Sequence, residues 1–144
     1  MTDSGIRKPV KVLIIDGQGG GLGRQLVSAL RDEEGIEITA VGTNSTATAA
    51  MHKAGAHQSA TGENSVIVAC RGADVILGAV GILMADAFLG EITPAMAAAI
   101  GQSSAQKILI PMNRCGIIVA GCTARSTAQC VEEAAEQVRR LLHF

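Results

Sequence analysis

The sequence predicts an α/β fold, a Rossmann-like, doubly wound and mainly parallel sheet with an antiparallel hairpin at one edge. Three observations lead there. Short aliphatic and β-branched runs alternate with stretches of helical periodicity. A dense glycine loop directly follows the first run. The connections are short, which favours parallel strands joined by covering helices.

Val10 to Ile15 is apolar except for Lys11, as a strand buried on both faces requires. Leu22, Leu26, Val27 and Leu30 then recur at helical spacing, and Gly35 marks the stop. Ile36 to Val41 reads as the second strand, with Gly42-Thr43-Asn44-Ser45 as the loop after it. An Ala-rich helix from about Thr46 to Ala54 ends at Gly55. A short third strand near Ala56 to Ala60 and a helix from about Asn64 to Cys70 follow. Ala73 to Leu77 is the fourth strand, and Gly78-Ala79-Val80-Gly81 leads into the apolar stretch Ile82 to Leu89.

Thr93 caps a helix that Pro94 opens and Gly101 stops. Lys107 to Ile110 is the fifth strand and Ile117 to Ala120 the sixth. A parallel crossover needs about a dozen residues, more than separate these two strands. They are therefore expected to form a hairpin turning near Asn113-Arg114-Cys115-Gly116. Ser126 and Gln129 have the spacing of a capping box. The last helix carries Val131, Ala134, Ala135, Val138, Leu141 and Leu142 on one face.

A chain of 144 residues fits one domain on the usual scale of ~100–200 residues. The expected organisation is a short flexible lead over 1–9 and one nucleotide-binding domain over 10–144. With two Phe and no Tyr or Trp, the core must be Ile, Val, Leu, Ala and Met. Charged residues are only 17%, so part of the surface is expected to be covered in a homo-oligomer. A net charge of −1 without a basic run argues against nucleic acid. No apolar run is long enough for a membrane span, and Met1 to Pro9 lacks a signal-peptide core, so a cytoplasmic location is expected. Cys70, Cys115, Cys122 and Cys130 form no C-x-x-C pair and read as free thiols. His52, His57 and His143 lack ligand spacing, and no metal is expected.

The glycine loop is the strongest functional signal. Five of the seven residues Gly17, Gln18, Gly19, Gly20, Gly21, Leu22 and Gly23 are glycine. Glycine is entropically costly, so this density implies close backbone approach. A strand before it and a helix start after it present free N–H groups and a positive dipole end to a phosphate. The alternative is a turn that allows tight helix–sheet packing. Gly17, Gly21 and Gly23 fit G-x-x-x-G-x-G, but the Tyr-x-x-x-Lys pair of short-chain dehydrogenases is excluded because the chain has no tyrosine. Arg24-Gln25 replaces the G-K-[ST] of a P-loop.

Asp16, directly before the loop, is read as an acceptor for loop N–H groups, with a metal or ribose contact as the alternative. At the end of the second strand, Thr43, Asn44 and Ser45 are polar and neutral, so the acid or arginine that selects NAD or NADP is missing. The cofactor is thus NAD(P) or another nucleotide, a mononucleotide or coenzyme A included. The crevice rule adds Gly78, Val80 and Gly81 to the cofactor-binding candidates. Asn113, Arg114 and Cys115 are the candidates for chemistry: Arg114 could pair with phosphate and lower the Cys115 pKa. Their alternative is a plain hairpin turn. Asp86 and Glu91 read as helix-end charges.

The segments Val12 to Gly23, Leu89 to Met96 and Ile110 to Cys115 together resemble a family of short bacterial proteins described as a domain of unknown function. The resemblance spans nearly the whole chain and implies a stand-alone bacterial protein. It implies no activity, substrate or catalytic residue. Three functions remain open: a nucleotide-binding protein without turnover, an oligomeric nucleotide-dependent enzyme with its site near Asn113-Arg114-Cys115, and a structural subunit without ligand.

Overall fold

The computed structural model describes residues 7–112, 116–122 and 125–143. Five strands, β1 (Val10–Asp16), β2 (Ile36–Gly42), β3 (Gln58–Thr61), β4 (Val75–Ala79) and β5 (Gln106–Ile110), form one sheet in the order β3-β2-β1-β4-β5. Every neighbouring pair is parallel. The helices are α1 (Gly21–Leu30), α2 (Ser45–Ala54), α3 (Glu63–Gly72), α4 (Pro94–Gln102) and α5 (Thr127–Leu141), with a short 3-10 turn over Val80–Leu83.

The sheet is buried on both sides because Val12 to Ile15 of β1 and Val75 to Leu77 of β4 are aliphatic at consecutive positions. Val12 and Ile14 of β1 pack with Leu26 and Val27 of α1 and Val138 of α5. Leu13 and Ile15, one residue out of phase, pack with Val66 of α3 and Met96 and Ile100 of α4. The chain steps outward from β1 to β2 to β3, then returns to place β4 on the other side of β1. Such a reversal leaves a crevice beyond the carboxyl ends of the two central strands.

The expected antiparallel hairpin is absent: residues 116–122 pair with no strand among the described residues. Gly116 (φ 67°) and Gly121 (φ 86°) turn the backbone, and Cys122 N–H donates back to the Val119 carbonyl at 3.3 Å. The apolar run Ile117 to Ala120 imitates a strand, yet Ile118 is 91% exposed. β4 also runs later than expected, so Gly78 lies inside the strand rather than after it. A Cβ there would sit 2.8 Å from the Ile15 carbonyl oxygen, so β1 and β4 pack closely only around a glycine.

Ser126 accepts the Gln129 N–H at 3.2 Å, and the Gln129 side chain accepts the Ser126 N–H at 2.9 Å, closing the expected capping box. Ser126→Ala should cost about 1 kcal/mol, read as a lower urea midpoint with an unchanged slope. An unchanged midpoint would show that α5 is held by its apolar face alone.

Candidate functional site

Asp16 ends β1 with only 7% of its surface exposed. One carboxylate oxygen accepts the Gly17 N–H at 2.8 Å and the other the Gly23 N–H at 2.7 Å. The side chain therefore clips the two ends of the loop together, as the sequence suggested. Burial pushes its pKa up; the Gly23 and Gly17 bonds offset part of this, and the negative charge of Glu91 adds to it.

The five loop glycines divide by what surrounds them. A Cβ on Gly23 would collide with Met51 and lie 2.9 Å from Asp16 Cβ. On Gly20 (φ 74°) it would lie 2.8 Å from Ala47 Cα, in the α2 backbone. On Gly17 it would lie 2.7 Å from Thr43 Oγ1 and 3.0 Å from the Phe88 ring. These three are glycine for packing. Gly19 and Gly21 have nothing within 4 Å of that position. Their N–H groups donate to no acceptor among the described residues.

Gly19 and Gly21 border a cleft of ≈ 830 Å³ at the crevice between β1 and β4. The glycine loop and Gln25 form one wall. Met84, Ala87, Phe88, Leu89 and Met112 add apolar lining, Asp86 adds a carboxylate from the same segment, and Thr127 of the first α5 turn also borders the cleft. Two helix starts, those of α1 and α5, thus meet the same cleft. No Lys or Arg borders it among the described residues, so N–H groups and helix dipoles are the positive features available there. A second cavity of ≈ 460 Å³ is bordered by α3 and by strands β1, β2 and β3, with Lys11, Glu37, Gln58 and Val68 among its lining residues. It contains none of the loop glycines.

The segment over residues 84–92 crosses the β2 side of the loop. Asp86 N–H donates to the Ile92 carbonyl at 2.7 Å, which closes it into a compact arch. Asp86, Phe88 and Leu89 have φ of 68°, 59° and 57°, a region costly for residues with a side chain. Glu91 Oε1 accepts the Gln18 N–H at 2.9 Å, the Thr43 hydroxyl at 2.6 Å and the Asn44 side-chain amide at 2.7 Å. Glu91 is thus a loop anchor, which corrects its reading as a helix-end charge. Its separation from Thr43 and Asn44 in the chain hid this contact.

Burial pushes the Glu91 carboxyl up, but the bonds from Thr43, Gln18 and Asn44 together hold it below the ordinary glutamate range. Stability from a depressed carboxyl is present above its unfolded pKa and is lost as pH falls through the folded one. The arch should therefore loosen in that acid window, read as a shift of the Gln18 amide resonance. Glu91→Gln should abolish the transition, and its persistence in that variant would assign it to another group.

The remaining expected site residues scatter. Leu22 borders the cleft but is mostly buried in the α1 core. Thr43 and Asn44 are engaged by Glu91, while Ser45 is exposed at the start of α2. Gly78, Val80 and Gly81 do not border the cleft, whereas their neighbour Ala79 does. Gly78 is taken up by strand packing, which corrects its assignment to the cofactor site. Asn113, Arg114 and Cys115 lie outside the described residues. No three His, Cys, Asp or Glu side chains cluster as a metal site among the described residues. No described helix is long and apolar enough to cross a membrane.

The sequence pattern of a domain of unknown function, DUF3842, matches residues 11–143. No curated protein matches the chain. Among solved structures, a dodecameric FMN-dependent UbiX-like decarboxylase from Escherichia coli O157:H7 aligns with a TM-score of 0.50 at 15% identity. The alignment covers 94% of this chain and 96% of that one. At this identity the likeness establishes a shared α/β fold.

Proposed function

We propose that this chain, which belongs to the DUF3842 family, binds a nucleotide of mononucleotide size with its phosphate on the Gly19 and Gly21 N–H groups. The observation that carries this reading is that Gly19 and Gly21, whose N–H groups donate to no acceptor among the described residues and whose Cβ positions are open, both border a cleft of ≈ 830 Å³. That size falls within the ~300–1,000 Å³ of small-molecule sites. The starts of α1 and α5 supply dipoles for the phosphate. Met84, Phe88, Leu89 and Met112 offer apolar lining to a base or flavin ring.

A mononucleotide suits the closed arch better than NAD(P). A dinucleotide places a ribose at the end of the second strand, and there Phe88 and Glu91 already occupy the space over Gly17 and Thr43. The FMN of the structural neighbour is a ligand of this size class and a natural first probe. A charged fraction of only 17% supports self-association, and the neighbour's dodecameric state is in keeping with it. A reading as an enzyme draws on Met112, which borders the cleft immediately before Asn113, Arg114 and Cys115 in the chain.

The test is thermal unfolding with FMN, AMP, NAD and coenzyme A. A mononucleotide at 100 times its dissociation constant should add about 2.7 kcal/mol of stability. No shift with any of the four would refute nucleotide binding. A larger effect of NAD than of FMN and AMP would refute the mononucleotide preference. For the enzyme reading, Cys115 alkylation at neutral pH should be faster than that of a free thiol of pKa about 8.5. An ordinary rate would count against it.

A further inference from the structure

We propose that the Gln18 N–H, the Thr43 hydroxyl and the Asn44 side-chain amide form a second anion subsite, held by the chain's own Glu91 carboxylate and surrendered to a phosphate when the arch over residues 84–92 lifts. Three neutral donors from two separate loops converge on one oxygen, Glu91 Oε1, at 2.6 to 2.9 Å. That is how uncharged groups bind a phosphate oxygen.

The donors are fixed by bonds that do not involve Glu91. Asn44 Oδ1 accepts the Ala47 N–H at 2.9 Å, and Asn44 Nδ2 also donates to the Gln18 carbonyl at 3.0 Å. Thr43 N–H donates to the Asp16 carbonyl at 3.0 Å. The occupant, by contrast, rides on the arch with three side-chain-bearing residues at positive φ. Leu89 at its crest is 99% exposed, while Ala87 and Phe88 pack against the core and Ile92 is fully buried at its foot, so the lift turns on the exposed stretch at Leu89 and Gly90. Rigid donors beneath a strained occupant make a two-state element that an anion can shift.

This inference rests on the proposed phosphate site at Gly19 and Gly21, to which Gln18 is the adjoining residue. Two contiguous subsites fit the two phosphates of a diphosphate-bearing nucleotide. With Glu91 seated the chain takes a single phosphate; with Glu91 displaced it takes two.

The experiment is amide NMR of the full chain, wild type and Glu91→Ala, titrated with inorganic phosphate at constant ionic strength. In Glu91→Ala the Gln18 backbone and Asn44 side-chain amides should shift saturably, at phosphate concentrations at least tenfold below those needed in wild type. No saturable shift at these two groups in Glu91→Ala overturns the second subsite. Gly19 and Gly21 amides report the first subsite in the same spectra. Their movement alone overturns the second subsite and leaves the first standing, and the reverse pattern does the opposite. Should Glu91→Ala not fold, Glu91→Asp, one methylene short of the three donors, is read by the same criteria.

Discussion

Gly20→Ala should destabilise the protein by about 2–5 kcal/mol, from a left-handed backbone penalty of ~1–2 and overpacking of ~1–3. Gly20 caps α1 at φ 74° and ψ 16°. An added Cβ would stand 2.8 Å from Ala47 Cα and 2.9 Å from the Ala47 carbonyl oxygen. Both belong to the α2 backbone, so no side-chain rotation relieves the clash. The α1–α2 contact must open instead. The melting temperature should fall on the order of 10 °C, at a few degrees per kcal/mol. Gly19→Ala, with nothing within 4 Å, should stay within about 0.5 kcal/mol of wild type. Equal losses for the two variants would show that the loop glycines do not divide into packed and open positions.

Asp16→Ala should cost about 2–5 kcal/mol, because two buried N–H groups lose their acceptor at ~1–3 kcal/mol each. Those groups are Gly17 N–H and Gly23 N–H, the two ends of the loop. The loss is reduced by relief of the carboxylate's own burial, the main reason its pKa is raised. Asp16→Asn keeps one acceptor and turns a donor toward the other N–H, so it should be nearly as harmful as alanine. Urea unfolding measures both. Wild-type stability in Asp16→Ala would mean that the loop holds its shape without the clip. A carboxyl with a raised pKa favours the fold most when protonated, so the Asp16 contribution should decline as pH rises through that value. This slope is opposite in sign to that from Glu91, and Asp16→Asn should remove it.

The sequence exposed those parts of the molecule that follow from local periodicity. β1 could be read because a strand covered on both faces must be aliphatic without alternation, and Val12 to Ile15 is. The capping boundaries at Thr93 and Ser126 were legible because the cap lies three residues from its partner. The role of Asp16 was legible for the same reason: its partners are one and seven residues away.

The misreadings came from tertiary context. Ile117 to Ala120 has strand composition, but the turns at Gly116 and Gly121 govern its backbone. Gly78 resembled a loop residue because nothing local reveals that the Ile15 carbonyl needs its space. Glu91 reaches Thr43 and Asn44 across 48 and 47 residues, a contact that single-sequence periodicity does not encode. The positive φ of Phe88 and Leu89 is equally hidden, since neither residue type announces a left-handed turn.

Phosphate binding by the open glycines is tested most directly by fluorescence titration of FMN with wild type, Gly21→Val and Gly72→Ala. Gly72, like Gly21, has nothing within 4 Å of an added Cβ, but it lies on α3, away from the cleft. FMN should bind wild type and Gly72→Ala alike and lose about a hundredfold in affinity with Gly21→Val, or ~2.7 kcal/mol. Equal binding by all three proteins, or none by wild type, would contradict the assignment.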